Sequence, residues 1–178
     1  VSTTVIDASR DEIQHVFDVN LFGAWNGVSV FGKRFIAQGT PAAIYNLGSE
    51  NCFFNAVPGG VGYVAAKHAL LAMTMALREE VPAHIDVALI CPGLVSSELA
   101  DITRNGMDAD QFATAAMKQI RAGEFFVVTH AYNIVRIQQR NREVEDAYAR
   151  NAPRYPGDDS LDVRLLGVKQ GWWPEDRS

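Results

Sequence analysis

The feature that most constrains the fold is an almost continuous apolar run at Ile85–Cys91, which Pro92 and Gly93 end. A strand with one face in water alternates apolar and polar residues. A run of this kind is typical instead of a strand buried on both faces, as in a parallel sheet covered by helices. The run therefore favours an α/β fold.

The rest of the chain fits that fold class. A short buried strand is predicted at Ala42–Leu47 and a third strand at Glu124–Thr129. Ser9 and Glu12 form a capping box that begins a long amphipathic helix, and Pro82 ends a second one. The predicted helices are Arg10–Ala37, Gly62–Glu80, Asp110–Ala122 and Tyr132–Arg150. This alternating order predicts a parallel sheet flanked by helices. We expect residues 1–150 to belong to one domain and residues 151–178, rich in Pro, Gly and charge, to be a tail that is mostly loop.

Composition excludes several classes of function. The net charge of -5 argues against nucleic acid as a partner, because phosphate binding needs a basic face. No apolar stretch reaches the roughly 20 residues that span a bilayer. Two cysteines, Cys52 and Cys91, are too few for a disulfide framework and favour a reducing compartment such as the cytoplasm. The four histidines lack metal-ligand spacing, so no metal is expected and each is predicted to be structural.

Four residues form a candidate catalytic set. Tyr63 and Lys67 are four residues apart at the start of a predicted helix and therefore share one face. An ammonium beside a phenol favours the phenolate, so we expect Lys67 to lower the pKa of Tyr63 and make it a usable acid or base. Ser49 follows a predicted strand, at the end where parallel sheets bind ligands. Asn20 is a polar residue inside the first long helix. A Tyr/Lys pair alone occurs by chance in many helices, but this setting favours catalysis.

The motifs that carry these residues follow one another in a familiar order. They are D-V-N-L-F-G around Asn20, N-L-G-S ending at Ser49, Y-V-A-A-K at Tyr63–Lys67 and C-P-G-L-V at Cys91–Val95. In order and spacing they resemble the short-chain dehydrogenase/reductase family, in its compact single-domain branch. The resemblance implies a Rossmann-like, doubly wound parallel sheet, of which this chain would be the C-terminal portion.

The resemblance also implies roles for the catalytic set. Tyr63 would be the general acid/base that exchanges a proton with the substrate oxygen. Lys67 would lower the pKa of Tyr63 and bind the nicotinamide ribose, and Ser49 would orient the substrate oxygen. Asn20 would hold a water that links Lys67 to solvent. The reaction would interconvert a secondary alcohol and a ketone, with an apolar substrate favoured by the Phe-containing loop after Ser49.

The cofactor implied is NAD or NADP. Pro92, Gly93 and Val95 would line the nicotinamide, together with Tyr63 and Lys67 on the ribose side. Ser97 stands where a cofactor contact is common. The resemblance further implies a homodimer or homotetramer, with helices Arg10–Ala37 and Gly62–Glu80 at the subunit interface.

Departures from the family pattern leave an alternative open. The Gly-rich turn that seats the cofactor pyrophosphate is absent. We therefore expect an N-terminally truncated sequence that is inactive as a fragment alone. The interval from Ser49 to Tyr63 is one residue longer than usual, and Glu50 and Asn51 replace small residues. The main alternative is a non-catalytic fragment or subunit-association module; an isomerase or dehydratase that uses the same Tyr/Lys pair is another.

Overall fold

The computed structural model describes residues 3–98 and 104–172, and it has the expected α/β architecture. Three strands, β1 (Ala42–Leu47), β2 (Ile85–Cys91) and β3 (Phe126–Val128), form a parallel sheet in the order β1-β2-β3. The first two strands have the predicted bounds, whereas the third is shorter than predicted. Residue 42 is opposite residue 85 and residue 47 is opposite residue 90, so β1 and β2 end at the same edge.

Helices account for most of the remaining chain. Their bounds are α1 Arg10–Phe17, α2 Gly23–Gln38, α3 Val61–Glu80, α4 Ala109–Arg121, α5 Asn133–Asn151 and α6 Val163–Lys169. The predicted capping box is present, because the Ser9 side chain accepts from the Glu12 amide and the Glu12 carboxylate accepts from the Ser9 amide. Asp162 caps α6, a helix that was not predicted within the tail.

A π-helical segment, Asp18–Phe22, separates α1 from α2. The sequence predicted one uninterrupted helix here. Instead the amide of Gly23 donates to the carbonyl of Asp18, five residues earlier, as in a π-helix. Single π turns inside α-helices often occur at functional positions, and this one contains Asn20.

Two faces of the sheet are covered by different helices. Ile44, Val87 and Leu89 point toward α2 and α3, where Leu70 and Leu77 complete the core. Ala88 and Val127 point the other way and pack on Ala116 of α4. Thr74 of α3 accepts a hydrogen bond from Asn46 of β1 at 2.9 Å, which ties that helix to the strand before the candidate site.

The chain divides into two compact units, residues 1–137 and 138–178. The first contains the sheet and every candidate site residue. The second contains most of α5 together with α6, and Arg154 there forms ion pairs with Asp158 and Asp159. The predicted boundary at residue 150 lies inside the second unit, and residues 173–178 of the predicted tail lie outside the described residues. No described helix combines the length and the apolar character that crossing a bilayer requires.

Candidate active site

Ser49 lies just beyond β1 and is held by the loop that follows it. Its backbone is extended and its side chain is 7% exposed. The Ser49 hydroxyl accepts from the backbone amide of Asn51 at 3.2 Å and from its side-chain amide at 3.3 Å. Asn51 also accepts from the Ala56 amide at 3.0 Å, so this side chain connects both ends of the loop. No role was predicted for Asn51, whose two bonds to the Ser49 hydroxyl hold that side chain in position.

Gly48 allows the chain to pass close to β2 immediately before Ser49. Its amide donates to the carbonyl of Ile90 at 2.7 Å. A Cβ atom at Gly48 would lie 2.9 Å from the Cys52 sulfur and 3.1 Å from the Ile90 carbonyl oxygen. Only glycine fits this contact without a shift of the strand or the loop.

Tyr63 and Lys67 lie in the first turns of α3, facing the same end of the sheet. The Lys67 ammonium is 5.5 Å from the centre of the Tyr63 ring. It donates to the carbonyl of Leu47, the last residue of β1, at 2.9 Å. The Lys67 side chain is buried, and this bond gives its charge a polar partner. The Ser49 side chain lies close enough to the Tyr63 phenol to favour its ionised form.

The pKa of Tyr63 shifts in the direction opposite to the sequence prediction. Burial raises the pKa of Tyr63 above its ordinary value, and the interaction with the Ser49 side chain opposes this only in part. Cys52 and Glu50 raise it further. Burial also lowers the pKa of Lys67. The expected lowering of the Tyr63 pKa by Lys67 is therefore wrong for the chain by itself, because desolvation of the phenol dominates.

Asn20 lies on the π segment, and its side-chain amide donates to the carbonyl of Val16 at 3.0 Å. The next residue, Leu21, packs with Leu70 of α3, so the π segment lies against the helix that carries Tyr63 and Lys67. No direct bond joins Asn20 to Lys67 among the described residues. The structure thus brings Ser49, Tyr63 and Lys67 together and leaves Asn20 on the neighbouring segment.

The turn after β2 is held by a histidine from a distant part of the sequence. The Gly93 amide donates to Nδ1 of His130 at 3.0 Å, and Nε2 of the same ring is 3.0 Å from the Leu94 carbonyl oxygen. Because Nδ1 accepts, Nε2 carries the proton and donates to Leu94. Tyr132 adds a third bond by accepting from the Leu94 amide at 3.3 Å. The sequence predicted a structural role for His130, but nothing in it indicated which turn this residue holds.

The remaining predicted cofactor residues follow this turn. The Pro92 carbonyl accepts from the Glu50 amide at 2.7 Å, which joins the turn to the Ser49 loop. Val95 forms an isolated bridge with Met107, but neither its N–H nor its C=O has a hydrogen-bond partner within residues 3–98 and 104–172. Ser97 is exposed, and the nearby residues 99–103 lie outside the described residues.

Comparison with known proteins decides the family. A family model described as short chain dehydrogenase matches residues 1–108, more than half of the chain. The chain belongs to the short-chain dehydrogenase family. This confirms the resemblance of the motifs and, with the parallel sheet, the Rossmann-like fold.

Individual relatives of this chain are distant. The 1-deoxy-11-beta-hydroxypentalenate dehydrogenase of Streptomyces avermitilis is 28% identical over 130 residues, which are 68% of this chain and 48% of the relative. Human L-xylulose reductase is 26% identical over 131 residues, 73% of this chain and 52% of the reductase. The chain thus spans about half the length of these relatives.

Solved structures agree on the fold. LigO from Sphingobium, in its apo form, has a TM-score of 0.76 and 26% identity, covering 93% of this chain and 62% of LigO. A short-chain dehydrogenase/reductase from Burkholderia phymatum in complex with NAD has a TM-score of 0.74 and 22% identity, covering 86% of this chain and 65% of its own. A short-chain dehydrogenase from Burkholderia cenocepacia in complex with NADP has a TM-score of 0.69 and 22% identity. The match covers 85% of this chain and 66% of the Burkholderia chain.

Proposed function

We propose that this chain carries the catalytic part of an oxidoreductase that interconverts a secondary alcohol and a ketone, with Tyr63 as general acid/base. The observation that carries the proposal is the arrangement around the Tyr63 phenol, which lies close to the Ser49 side chain and beside the buried Lys67. Two hydroxyl groups and a cation at the carboxyl end of a parallel strand can hold an oxygen that gains or loses a proton.

Each residue has a part in that transfer. Ser49 would donate to the substrate oxygen and stabilise the charge that develops on it. Tyr63 would exchange the proton with that oxygen, and because its pKa is raised, the protonated form suited to reducing a ketone predominates at neutral pH. Lys67, fixed by the Leu47 carbonyl, would stabilise the phenolate left behind. Asn20 would support the return of the proton from solvent, through a water beside the π segment.

The residues present fit a nicotinamide cofactor, NAD or NADP. The N–H and C=O of Val95, which have no partner within the part of the chain that the structure describes, can pair with a carboxamide, which offers the complementary acceptor and donor. Pro92 and Gly93 would lie against the ring, with Lys67 and Tyr63 near the ribose and Ser97 at the far side. The cofactor would supply the hydride acceptor or donor that the protein itself lacks. Relatives of the same fold hold NAD and NADP, which supports the cofactor class but not the choice between the two.

We also propose that the protein works as a homodimer or homotetramer through α2 and α3. Exposed apolar side chains lie along α2, including Trp25 at 53% and Phe31 at 51% exposure. A groove between the two helices is lined by Trp25, Val28, Met73 and Ala76. Such apolar surfaces are typical of contacts between subunits.

The test is an assay of cofactor absorbance in the full-length protein with a panel of apolar ketones and secondary alcohols. Turnover should fall by about a hundredfold or more in Tyr63→Phe, because the proton donor is removed while the ring is kept. Tyr148→Phe, at an exposed position, is the matched control and should leave turnover unchanged. Turnover that survives Tyr63→Phe would contradict the role of this residue. No cofactor binding and no turnover would favour the association module instead.

A further inference from the structure

The hydrogen bonds that His130 makes to the turn after β2 depend on the charge of its ring. Nδ1 accepts from the Gly93 amide at 3.0 Å, and since an amide nitrogen only donates, this contact requires a ring nitrogen without a proton. Nε2, which carries the proton, is 3.0 Å from the Leu94 carbonyl oxygen. Both bonds therefore exist together only while the imidazole is neutral.

A partner for the charged ring is already in place. The Thr129 hydroxyl oxygen lies 2.8 Å from the same Nδ1 atom of His130. When a proton from solvent binds Nδ1, this nitrogen becomes a donor and can bond to Thr129, while Nε2 keeps its bond to Leu94. The Gly93 amide then faces a donor and loses its acceptor. Protonation thus keeps the ring fully bonded and leaves the turn with one bond fewer.

The turn packs tightly on the ring, so the lost bond is not easily replaced. A Cβ atom at Gly93 would lie 2.6 Å from Cγ of His130 and 2.6 Å from the Tyr132 hydroxyl oxygen. Tyr132 itself packs edge-on against the imidazole, with the ring centres 5.6 Å apart and the planes at 74°. The Gly93 amide therefore has little space in which to turn toward another partner. An amide left unpaired in such a place shifts an equilibrium by about tenfold.

Other titratable groups near the imidazole come from three segments of the part of the chain that the structure describes. Glu50, from the loop after β1, and Cys91, the last residue of β2, line the same cavity as His130. Tyr132 packs on the ring from its own segment. The Cys91 thiol stays protonated, because the neighbouring Cys52 thiol and burial raise its pKa. The carboxylate of Glu50 is thus the charge that an experiment has to separate from His130.

We propose that His130 is a positioning residue whose protonation weakens the binding of the nicotinamide cofactor, so that affinity falls toward acid. Histidine side chains change charge between about pH 8 and 5, so the loss belongs in this range. The inference rests on the proposed function, in which residues 92–95 hold the nicotinamide. Because the cofactor favours the neutral ring, its binding to the charged form should release the Nδ1 proton to solvent.

Calorimetry on the full-length protein tests this with the oxidised cofactors NAD and NADP, each titrated at about pH 8, 7, 6 and 5. We expect Kd of the better-bound cofactor to rise by about tenfold from the highest to the lowest pH, as the loss of one amide bond predicts. In the acidic range the binding heat should depend on the ionisation enthalpy of the buffer, in the sense of proton release. Circular dichroism at each pH shows whether the protein stays folded.

His130→Asn is the decisive variant, because its side-chain oxygen can accept from the Gly93 amide and the side chain does not titrate. The tenfold rise and the proton release should both be absent, and any titration of the cofactor itself is common to both proteins. His15→Asn, at an exposed histidine on α1, is the matched control and should retain the full pH dependence. Glu50→Gln should also retain the loss toward acid, which assigns the titration to the imidazole.

Thr129→Val tests the exchange of hydrogen bonds, and it takes the place of His130→Asn if that variant does not fold. Valine keeps the shape and removes the oxygen that accepts from the charged ring. Protonation of His130 is then less favourable, so the loss of affinity should move to lower pH. A loss at the same pH as in the unmodified protein would contradict the exchange.

The outcomes separate this inference from the proposed function. If the rise in Kd is equal in His130→Asn and in the unmodified protein, or absent from both, the inference is wrong, while turnover that depends on Tyr63 leaves the function standing. If binding follows pH through His130 but no ketone or alcohol is turned over, the inference stands and the function is wrong. A protein that binds neither cofactor even at the highest pH overturns both.

Discussion

The Ser49–Lys67 segment and the Pro92–Leu94 turn both contribute to the candidate site, yet contacts of different range hold them. Lys67 binds Leu47 across 20 positions and Asn51 binds Ser49 across two. The turn is held by His130 across 37 and 36 positions, through Gly93 and Leu94. The first region is formed once β1 and α3 meet, whereas the second requires β3 to join the sheet. The proposed proton chemistry and the proposed positioning of the cofactor therefore depend on different parts of the chain.

The largest expected effect is in the first region. Lys67→Met keeps the length of the side chain and removes the charge and the bond to Leu47, so turnover should fall by about a hundredfold or more. The cofactor assay in the full-length protein measures this, with Lys118→Met, at an exposed position on α4, as the control. Equal losses in both variants would mean that the buried charge has no special role.

The second region should respond differently. His130→Ala removes the two bonds that this histidine makes to the turn and leaves the one from Tyr132, so we expect KM for the cofactor to rise by about tenfold while kcat changes less, because the proton donor is intact. The free energy of unfolding should decrease by about 1–3 kcal/mol, since the Gly93 amide loses its acceptor.

His130→Asn sharpens this test. Its side-chain oxygen can take the place of Nδ1 as acceptor for Gly93, so part of the cofactor affinity should return. A fall in kcat alone, with unchanged cofactor KM, would contradict the positioning role of His130.

The smallest expected effect is a shift in a titration. The pKa of Tyr63 is raised by burial, so its phenolate should form only above the ordinary tyrosine value near ~10. Ultraviolet difference absorbance between this chain and Tyr63→Phe isolates that one group. Because the pKa of Tyr63 is higher in the folded state than in the unfolded state, this group stabilises the fold below the unfolded pKa. That stabilisation is lost as pH rises through the folded pKa. A phenolate that forms below the ordinary value would show that Lys67 outweighs burial.

The sequence was most informative where one segment determines its own structure. The runs at Ala42–Leu47 and Ile85–Cys91 are bounded by breakers and apolar throughout most of their length, and both strands begin and end as predicted. The helix that carries Tyr63 begins one residue before the predicted start. The catalytic candidates could be found because their motifs follow one another in a known order.

Features that depend on distant segments could not be predicted. The role of His130 depends on where β3 ends relative to the turn after β2, which no local pattern states. The pKa of Tyr63 was predicted with the wrong sign because spacing reports a neighbouring charge but not the burial of the phenol.

The π segment at Asp18–Phe22 requires an exact number of residues between α1 and α2. An α-helix advances by about 100° per residue, so deleting one residue here would restore regular α-helix and rotate α1 about its axis relative to α2. Ile13 and Val16, which lie against Gly62 at the start of α3, would then turn away from it. Insertions and deletions should therefore be far less tolerated in these five positions than in the exposed turn at Gly39, although neither segment contributes a strand to the sheet.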